Sequence, residues 1–435
     1  MLKLAKINIP SGIMKLAGGA GAAQVIAALG MPVLSRIYTP ADFGVLGVFM
    51  ATVTVAAVFV TGRYEAAIPL PDRDGEAWSL LKLALYLTIL TQAALALLLL
   101  FWLPAVWQPL GRLIWLLPAG IMIMTVITAT EFWLNRKGMF GPVAKSRVAG
   151  AAVLLAAQIL FGLAGLGGGG LLLGFVLGLL ATAAINLGKS IKTRPAEAAG
   201  VPEAARRYAR FPRYLLAAQV FNSGANHLPT LALGAYFGTA AAGLYAMGNR
   251  ALAVLDMIST AAGQVFYPRA ARQYNDAGEC RDLYGKTARG LGVAALAVFP
   301  LTCLALPDVF GFVLGREWRG AGELARWLCP MFFMRFIVSP VSALFYIAGR
   351  QHLYLYRQVL LFALVLAGLY AGVRCQSVFV AVGLYSLSYV VSYLIDGIVS
   401  FNLAGGNKKN QESEVRSQKS EVKSWNENPP DYAEF

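Results

Sequence analysis

Residues 83–103 read LALYLTILTQAALALLLLFWL, twenty-one positions without a charged side chain. At 1.5 Å of rise per helical residue, such a run crosses about 30 Å of hydrocarbon. In lipid its peptide groups have no water to bond, so they must be satisfied inside the segment, as a helix does. Outward from it the pattern repeats. Apolar runs between charged or Pro/Gly breaks predict twelve helices near 11–36, 42–67, 77–103, 110–133, 140–163, 169–188, 213–236, 241–266, 284–306, 321–348, 353–373 and 377–401. The seventh and eighth are the weakest, because polar residues interrupt them.

Composition agrees. Hydrophobic residues make up 58% of the chain, charged residues 14%, and the mean hydropathy is +0.61, whereas a soluble chain is about a quarter charged. The expected fold class is an all-α polytopic membrane protein. The net charge of +15 does not point to nucleic acid, because the charges are sorted by topology. With the N-terminus in the cytoplasm, 28 of the 37 Lys and Arg fall on that side. Six fall outside (Arg36, Arg112, Arg316, Arg319, Arg326, Arg374) and three inside helices (Arg63, Arg250, Arg335). That bias predicts both termini in the cytoplasm. The basic start, MLKLAKINIPSGIMKLAGG, lacks a cleavage-site pattern and reads as the lead-in to a retained helix.

The basic stretch GKSIKTRPAEAAGVPEAARRYARFPR (188–213) divides the chain. The expected organisation is a six-helix bundle over 1–188, a cytoplasmic linker over 189–212, a second six-helix bundle over 213–406 and a disordered cytoplasmic tail over 407–435. Gly44 and Pro69 frame helix two, and Gly243 and Pro268 frame helix eight, both pairs offset by 199 residues (243 − 44 and 268 − 69). Such a coincidence fits a transporter built from repeats.

Four cysteines without CxxC spacing and two histidines imply neither a disulfide framework nor a metal site. Gly165, Gly167 and Gly170 match GxGxxG, but between two membrane helices they read as a turn. No catalytic constellation, Walker loop or cofactor motif is present, so the chain reads as a non-enzyme.

The candidate functional residues are polar groups inside the apolar spans. A cation near the bilayer centre costs roughly 2.5–3.5 kcal/mol on insertion scales and normally faces a polar interior. Arg63 sits toward the end of helix two. Glu65, two residues on and about 200° round an ideal helix, is not expected to pair with it. On helix eight, Tyr245, Asn249, Asp256, Thr260 and Gln264 form one polar face beside Arg250. Helix seven carries Gln219, Asn222 and Asn226; helix ten Arg335, Ser339, Ser342 and Tyr346; helix twelve Tyr385, Ser388, Ser392 and Asp396. Two readings stand: interhelical hydrogen bonds, or a water-accessible, net-positive cavity for an anionic ligand. On the second, Arg63, Arg250, Asn222, Asn226, Asn249 and Arg335 bind substrate, while Asp256 and Glu65 carry a coupling H+ or Na+.

Three segments carry a family resemblance. PVLSRIYTPADFGVLGVFMATVTVAAVFVTGRYEAAIPLP (32–71) resembles the opening of bacterial polysaccharide-export flippases of the Wzx type, in its Y-x-P-x-D-F-G turn (Tyr38, Pro40, Asp42, Phe43, Gly44) and its R-Y-E…I-x-L-P ending (Arg63, Tyr64, Glu65, Ile68, Leu70, Pro71). WLNRKGMFGPVAKSRV (133–148) and GLYAMGNRALAVLDMISTAAGQVFYPRAARQY (243–274) are similar to the same family's helix four-to-five connection and helix eight. The resemblance implies the fold of the multidrug/oligosaccharidyl-lipid/polysaccharide exporter superfamily: about twelve helices in two six-helix bundles around a central cavity. It also implies a bacterial inner-membrane flippase for an undecaprenyl-diphosphate-linked oligosaccharide, serving O-antigen, lipopolysaccharide or capsule synthesis beside the polysaccharide polymerase machinery. The alternatives are an ion-coupled drug or metabolite antiporter of the superfamily, or a non-transporting subunit of a polysaccharide-synthesis complex.

Overall fold

The computed structural model describes residues 11–101, 111, 113–196, 200–209, 212 and 216–406. The expected tail and parts of the expected linker lie outside the described residues. Within them the chain is helical: α1 (Ser11–Ile37), α2 (Pro40–Val60), α3 (Asp74–Phe101), α4 (Leu117–Arg136), α5 (Phe140–Leu163), α6 (Gly167–Lys192), a short α7 (Val201–Arg207), α8 (Leu216–Tyr236), α9 (Thr239–Leu252), α10 (Asp256–Ala277), α11 (Arg281–Val313), α12 (Arg319–Val338), a one-turn α13 (Leu344–Ile347), α14 (Gln351–Arg374) and α15 (Val378–Ala404). Among the described residues nine helices are long and apolar enough to cross a membrane. The protein is a multi-pass all-α membrane protein. Of the segments expected to span, α8, α9, α10 and α12 fall short of that test, being diluted by polar residues or broken.

Three expected helices end differently, and the endings matter for the site. Helix two stops at Val60 rather than running to 67. Thr61 caps it, Gly62 (φ 56°) and Arg63 (φ 64°) turn left-handed, and a 3₁₀ turn follows over Tyr64–Ala67. A left-handed glycine just past the last turn is the commonest way to stop a helix. Helix eight is two helices, α9 and α10, parted at residues 253–255, where Ala-Val-Leu offers no glycine or proline as a cause. Helix ten stops at Val338 because Pro340 cannot donate to an α-helical ladder. The 165–167 glycine stretch is a turn as expected, with Gly165 (φ 75°) and Gly167 (φ 49°) left-handed. Cys303 and Cys329 are each disulfide-bonded, which their spacing did not suggest.

The chain folds as two compact units. The first comprises Met1–Leu252, Cys303–Leu328 and Gln358–Ser388. Its hub is α2, which packs on α4, α6, α8 and α9, while α5 packs on both α1 and α6. The Y-x-P-x-D-F-G turn explains how α2 is seated. Thr39 and Asp42 make a capping box with Pro40 in the first turn. The Tyr38 hydroxyl donates to the Gln158 carbonyl at 2.6 Å, and Phe43 meets the buried Trp318 edge-on at 5.1 Å.

Gly44 is where α2 crosses α9. A Cβ there would overlap the Thr239 carbonyl, and a Cβ on Gly243 would overlap the Pro40 carbonyl. The two contacts are reciprocal: 243 − 44 = 199 and 239 − 40 = 199. Equivalent positions of the two sequence halves therefore meet across a local two-fold relation, at small residues that let the backbones touch.

The second unit comprises Ala253–Thr302, Cys329–Arg357 and Tyr389–Phe435. Phe266, Ala270, Cys280, Tyr284, Val341, Leu344 and Ala404 form its core. The Cys280 amide donates to the Ala404 carbonyl at 2.8 Å, and the Tyr284 hydroxyl to the Gly397 carbonyl at 3.0 Å, fixing α11 against α15.

Candidate functional site

The left-handed Arg63 reverses one expectation. Because α2 has already ended, Arg63 and Glu65 are not on an ideal helix, and Arg63 Nη1 meets Glu65 Oε1 at 3.0 Å. The Thr61 hydroxyl donates to the other carboxylate oxygen. Arg63 is therefore neutralised locally, although its Nε remains buried without a partner. The group opens on a cavity of about 120 Å³ lined by Thr54, Thr61, Arg63, Glu65, Thr125 and Thr128. The threonines on α2 and α4 already donate to carbonyls one turn back (Thr54 to Met50, Thr125 to Ile121, Thr128 to Met124), which leaves their lone pairs as acceptors.

Below this cavity the R-Y-E…L-P ending is clasped from α4 and α7. Arg136 donates to Asp74 Oδ1 at 3.0 Å and to the carbonyls of Ile68 and Pro69, while Lys137 pairs with Asp74. The Tyr64 hydroxyl donates to the Ala205 carbonyl at 3.2 Å, and Arg207 pairs with Glu76 at 3.1 Å. The motif's Ile68 is fully buried in that seat.

Arg250 is different. It lies half-buried in the last turn of α9, and no carboxylate among the described residues lies within ion-pair distance. Asn249 precedes it, also half-buried. On α8 the Asn226 amide donates to the Asn222 carbonyl at 2.8 Å and to its Oδ1 at 3.2 Å, so this stripe is partly satisfied within its own helix.

The expected polar face from Asn249 to Asp256 is not continuous. The break at 253–255 puts Asn249 at the end of α9 and makes Asp256 the first residue of α10, in the other compact unit. There Arg335 of α12 meets Asp256 at 3.1 Å. A second pair in the same unit escaped sequence reading: Arg357 of α14 meets Asp396 of α15 at 3.1 Å. Asp396 stands out as an acid in the last span, whereas Arg357, near the start of the expected helix 353–373, falls in the cytoplasmic share of the charge count. Depth could have found it. Asp396 lies eight residues before the end of α15 (404 − 396) and Arg357 six residues after the start of α14 (357 − 351). In antiparallel neighbours that is about 12 Å and 9 Å from the same face.

Comparison with known proteins now bears on this geometry. The family model for polysaccharide biosynthesis proteins matches residues 33–323, that is, 291 of the chain's 435 residues. The chain belongs to the polysaccharide biosynthesis protein family. The match covers the capping turn, the Arg63–Glu65 ending and all of α9 and α10. No curated protein sequence matches. Among solved structures, the chain is similar to a multidrug resistance MATE family transporter of the MOP superfamily in an inward-facing conformation. The TM-score is 0.66 at 16% identity, over 87% of this chain and 95% of that one. It is similar too to a MOP superfamily transporter from Pyrococcus furiosus, described as having a binding pocket of reverse polarity. Here the TM-score is 0.57 at 16% identity, over 90% and 94% of the two chains. The family member described here therefore has the MOP transporter fold, as the resemblance implied.

Proposed function

We propose that this polysaccharide biosynthesis protein is a flippase that moves an undecaprenyl-diphosphate-linked oligosaccharide from the cytoplasmic to the periplasmic leaflet of the bacterial inner membrane, for surface polysaccharide synthesis. The single observation that carries this reading is Arg250. Arg63 and Arg335 each have a carboxylate beside them; Arg250 has none among the described residues. A half-buried cation without a counter-ion is expensive to keep, and a diphosphate supplies the missing charge with planar, two-point bonding. Asn249, beside Arg250 on α9, and Asn222 and Asn226, on the α8 helix that packs against α9, are groups of the type that suits sugar hydroxyls. The lipid tail stays in the bilayer. Glu65 and Asp256, the acids a cationic drug would want, are both occupied by arginines, which weighs against the antiporter reading.

The test is flipping of a lipid-linked sugar in reconstituted vesicles. A charge-assisted bond contributes about 1.5–3 kcal/mol, so Arg250→Ala should lower transport roughly 10- to 150-fold at normal protein levels. Arg250→Lys should retain part of it, since it keeps the charge and loses the fork. Wild-type flipping by Arg250→Ala would remove the anion site from α9.

A further inference from the structure

Three of the acid–arginine pairs among the described residues, Glu65–Arg63, Asp256–Arg335 and Asp396–Arg357, are not equivalent. Glu65 is saturated, with Thr61 on one oxygen and Arg63 on the other. Asp256 gives one oxygen to Arg335, and its side chain keeps 17% of its surface exposed, so water can reach it. Asp396 has neither arrangement. Its side chain is 2% exposed, Oδ2 meets Arg357, and Oδ1 is buried with no hydrogen-bond partner among the described residues. Arg357 has the complementary defect: its Nε is buried and unpartnered. A buried acceptor left unpaired costs about 1–3 kcal/mol, more when it is charged. A single contact to a guanidinium does not offset the desolvation of both ions.

The ligand that relieves this site must need no room, because Oδ1 presents no open surface. A proton meets that condition. Protonation forms one O–H bond on the carboxylate, with the proton drawn from the aqueous phase and returned to it, and removes the desolvated charge. The cation is not stranded when this happens. Arg357 Nη1 donates to the Ser392 hydroxyl at 3.2 Å, and the guanidinium lies 4.7 Å from the centre of the Tyr354 ring. The titratable and polar groups facing Asp396 are Arg357 from α14, Tyr284 from α11, and Ser392, Tyr393 and Ser400 on α15 itself. Tyr393 also lies within electrostatic reach of Asp256 and Arg335, so the two pairs share one environment.

The geometry points to Asp396 as a proton-binding site and to Arg357 as the cation it releases. With Asp396 ionised, the carboxylate occupies the guanidinium; with Asp396 protonated, the guanidinium is free for an anion. The use of this exchange in moving a diphosphate rests on the transport reading, but the proton site does not.

Two measurements on the full chain in lipid nanodiscs test it, neither needing lipid-linked sugar. Infrared difference spectra between mildly basic and mildly acidic buffer should show the carbonyl stretch of a protonated carboxyl group in wild type, in Asp256→Asn and in Asp396→Glu. The band should be missing in Asp396→Asn. Calorimetric titration with inorganic diphosphate should then give about tenfold tighter binding in acid than in base for wild type, and Asp396→Asn should bind in base as wild type does in acid. Persistence of the band in Asp396→Asn, its absence from wild type, or diphosphate binding that Asp396→Asn leaves unchanged would each overturn the assignment. Any of these would leave the vesicle result on Arg250 standing, and failure there would leave the spectra standing.

Discussion

At the scale of single residues, the charges inside the spans were legible because ionisable side chains are rare in lipid, and Arg63, Glu65, Arg250, Asp256, Arg335 and Asp396 all announce themselves in apolar text. Their pairing was not legible. It depends on backbone that leaves the helix at Gly62 and Arg63, and on which helices adjoin. The 200° separation of Arg63 and Glu65 was sound for a helix and failed because α2 ends three residues before Arg63. The pair makes a stability prediction. Glu65 is almost wholly buried, so Glu65→Ala leaves an uncompensated cation. It should cost about 3 kcal/mol, the lower end for a broken buried pair, since Arg63 retains some exposure. Arg63→Gln combined with Glu65→Ala should be milder than Glu65→Ala alone. Thermal unfolding in detergent measures the cycle, and strict additivity would show that the two side chains do not interact.

At the scale of elements, ten expected spans each fall on one long observed helix, while the expected helix eight falls on α9 and α10 and the expected helix ten on α12 and α13. The long apolar runs were readable from period and length alone, and the endings followed local chemistry where glycine or proline stood, as at Gly62 and Pro340. The break after Leu252 has no such marker, so nothing in Ala-Val-Leu could have revealed it. Helix crossings were also hidden, because small residues are common in membrane helices and only contact picks out the ones that matter. Gly44→Ala and Gly243→Ala each drive a methyl group into a carbonyl oxygen of the facing helix. Each should sharply reduce the monodisperse protein recovered by size-exclusion chromatography. Gly188→Ala, with nothing near its Cβ on the exposed side of α6, should not. Equal recovery of all three would show that the α2–α9 crossing tolerates a wider spacing.

At the scale of the whole molecule, charge asymmetry is the strongest sequence signal: with the N-terminus in the cytoplasm, the expected spans put 28 of the 37 basic residues on one side, a bias that predicts an orientation no local motif carries. Reporter fusions after Gly168 and after Gln376 should therefore read periplasmic. Fusions between 188 and 213 and in the tail should read cytoplasmic. A periplasmic tail would mean an odd number of spans.

The reciprocal meeting of Gly44 with Thr239 and of Gly243 with Pro40 has a historical consequence. A patch that matches its own counterpart is what two identical molecules use to form a symmetric pair, so the contact is best explained by duplication and fusion of an ancestor half this length. Once fused, the copies were free to diverge, and they have: 199 residues on from Thr61, Arg63 and Glu65 stand Thr260, Ala262 and Gln264. The hydroxyl survived, while the cation and the acid did not.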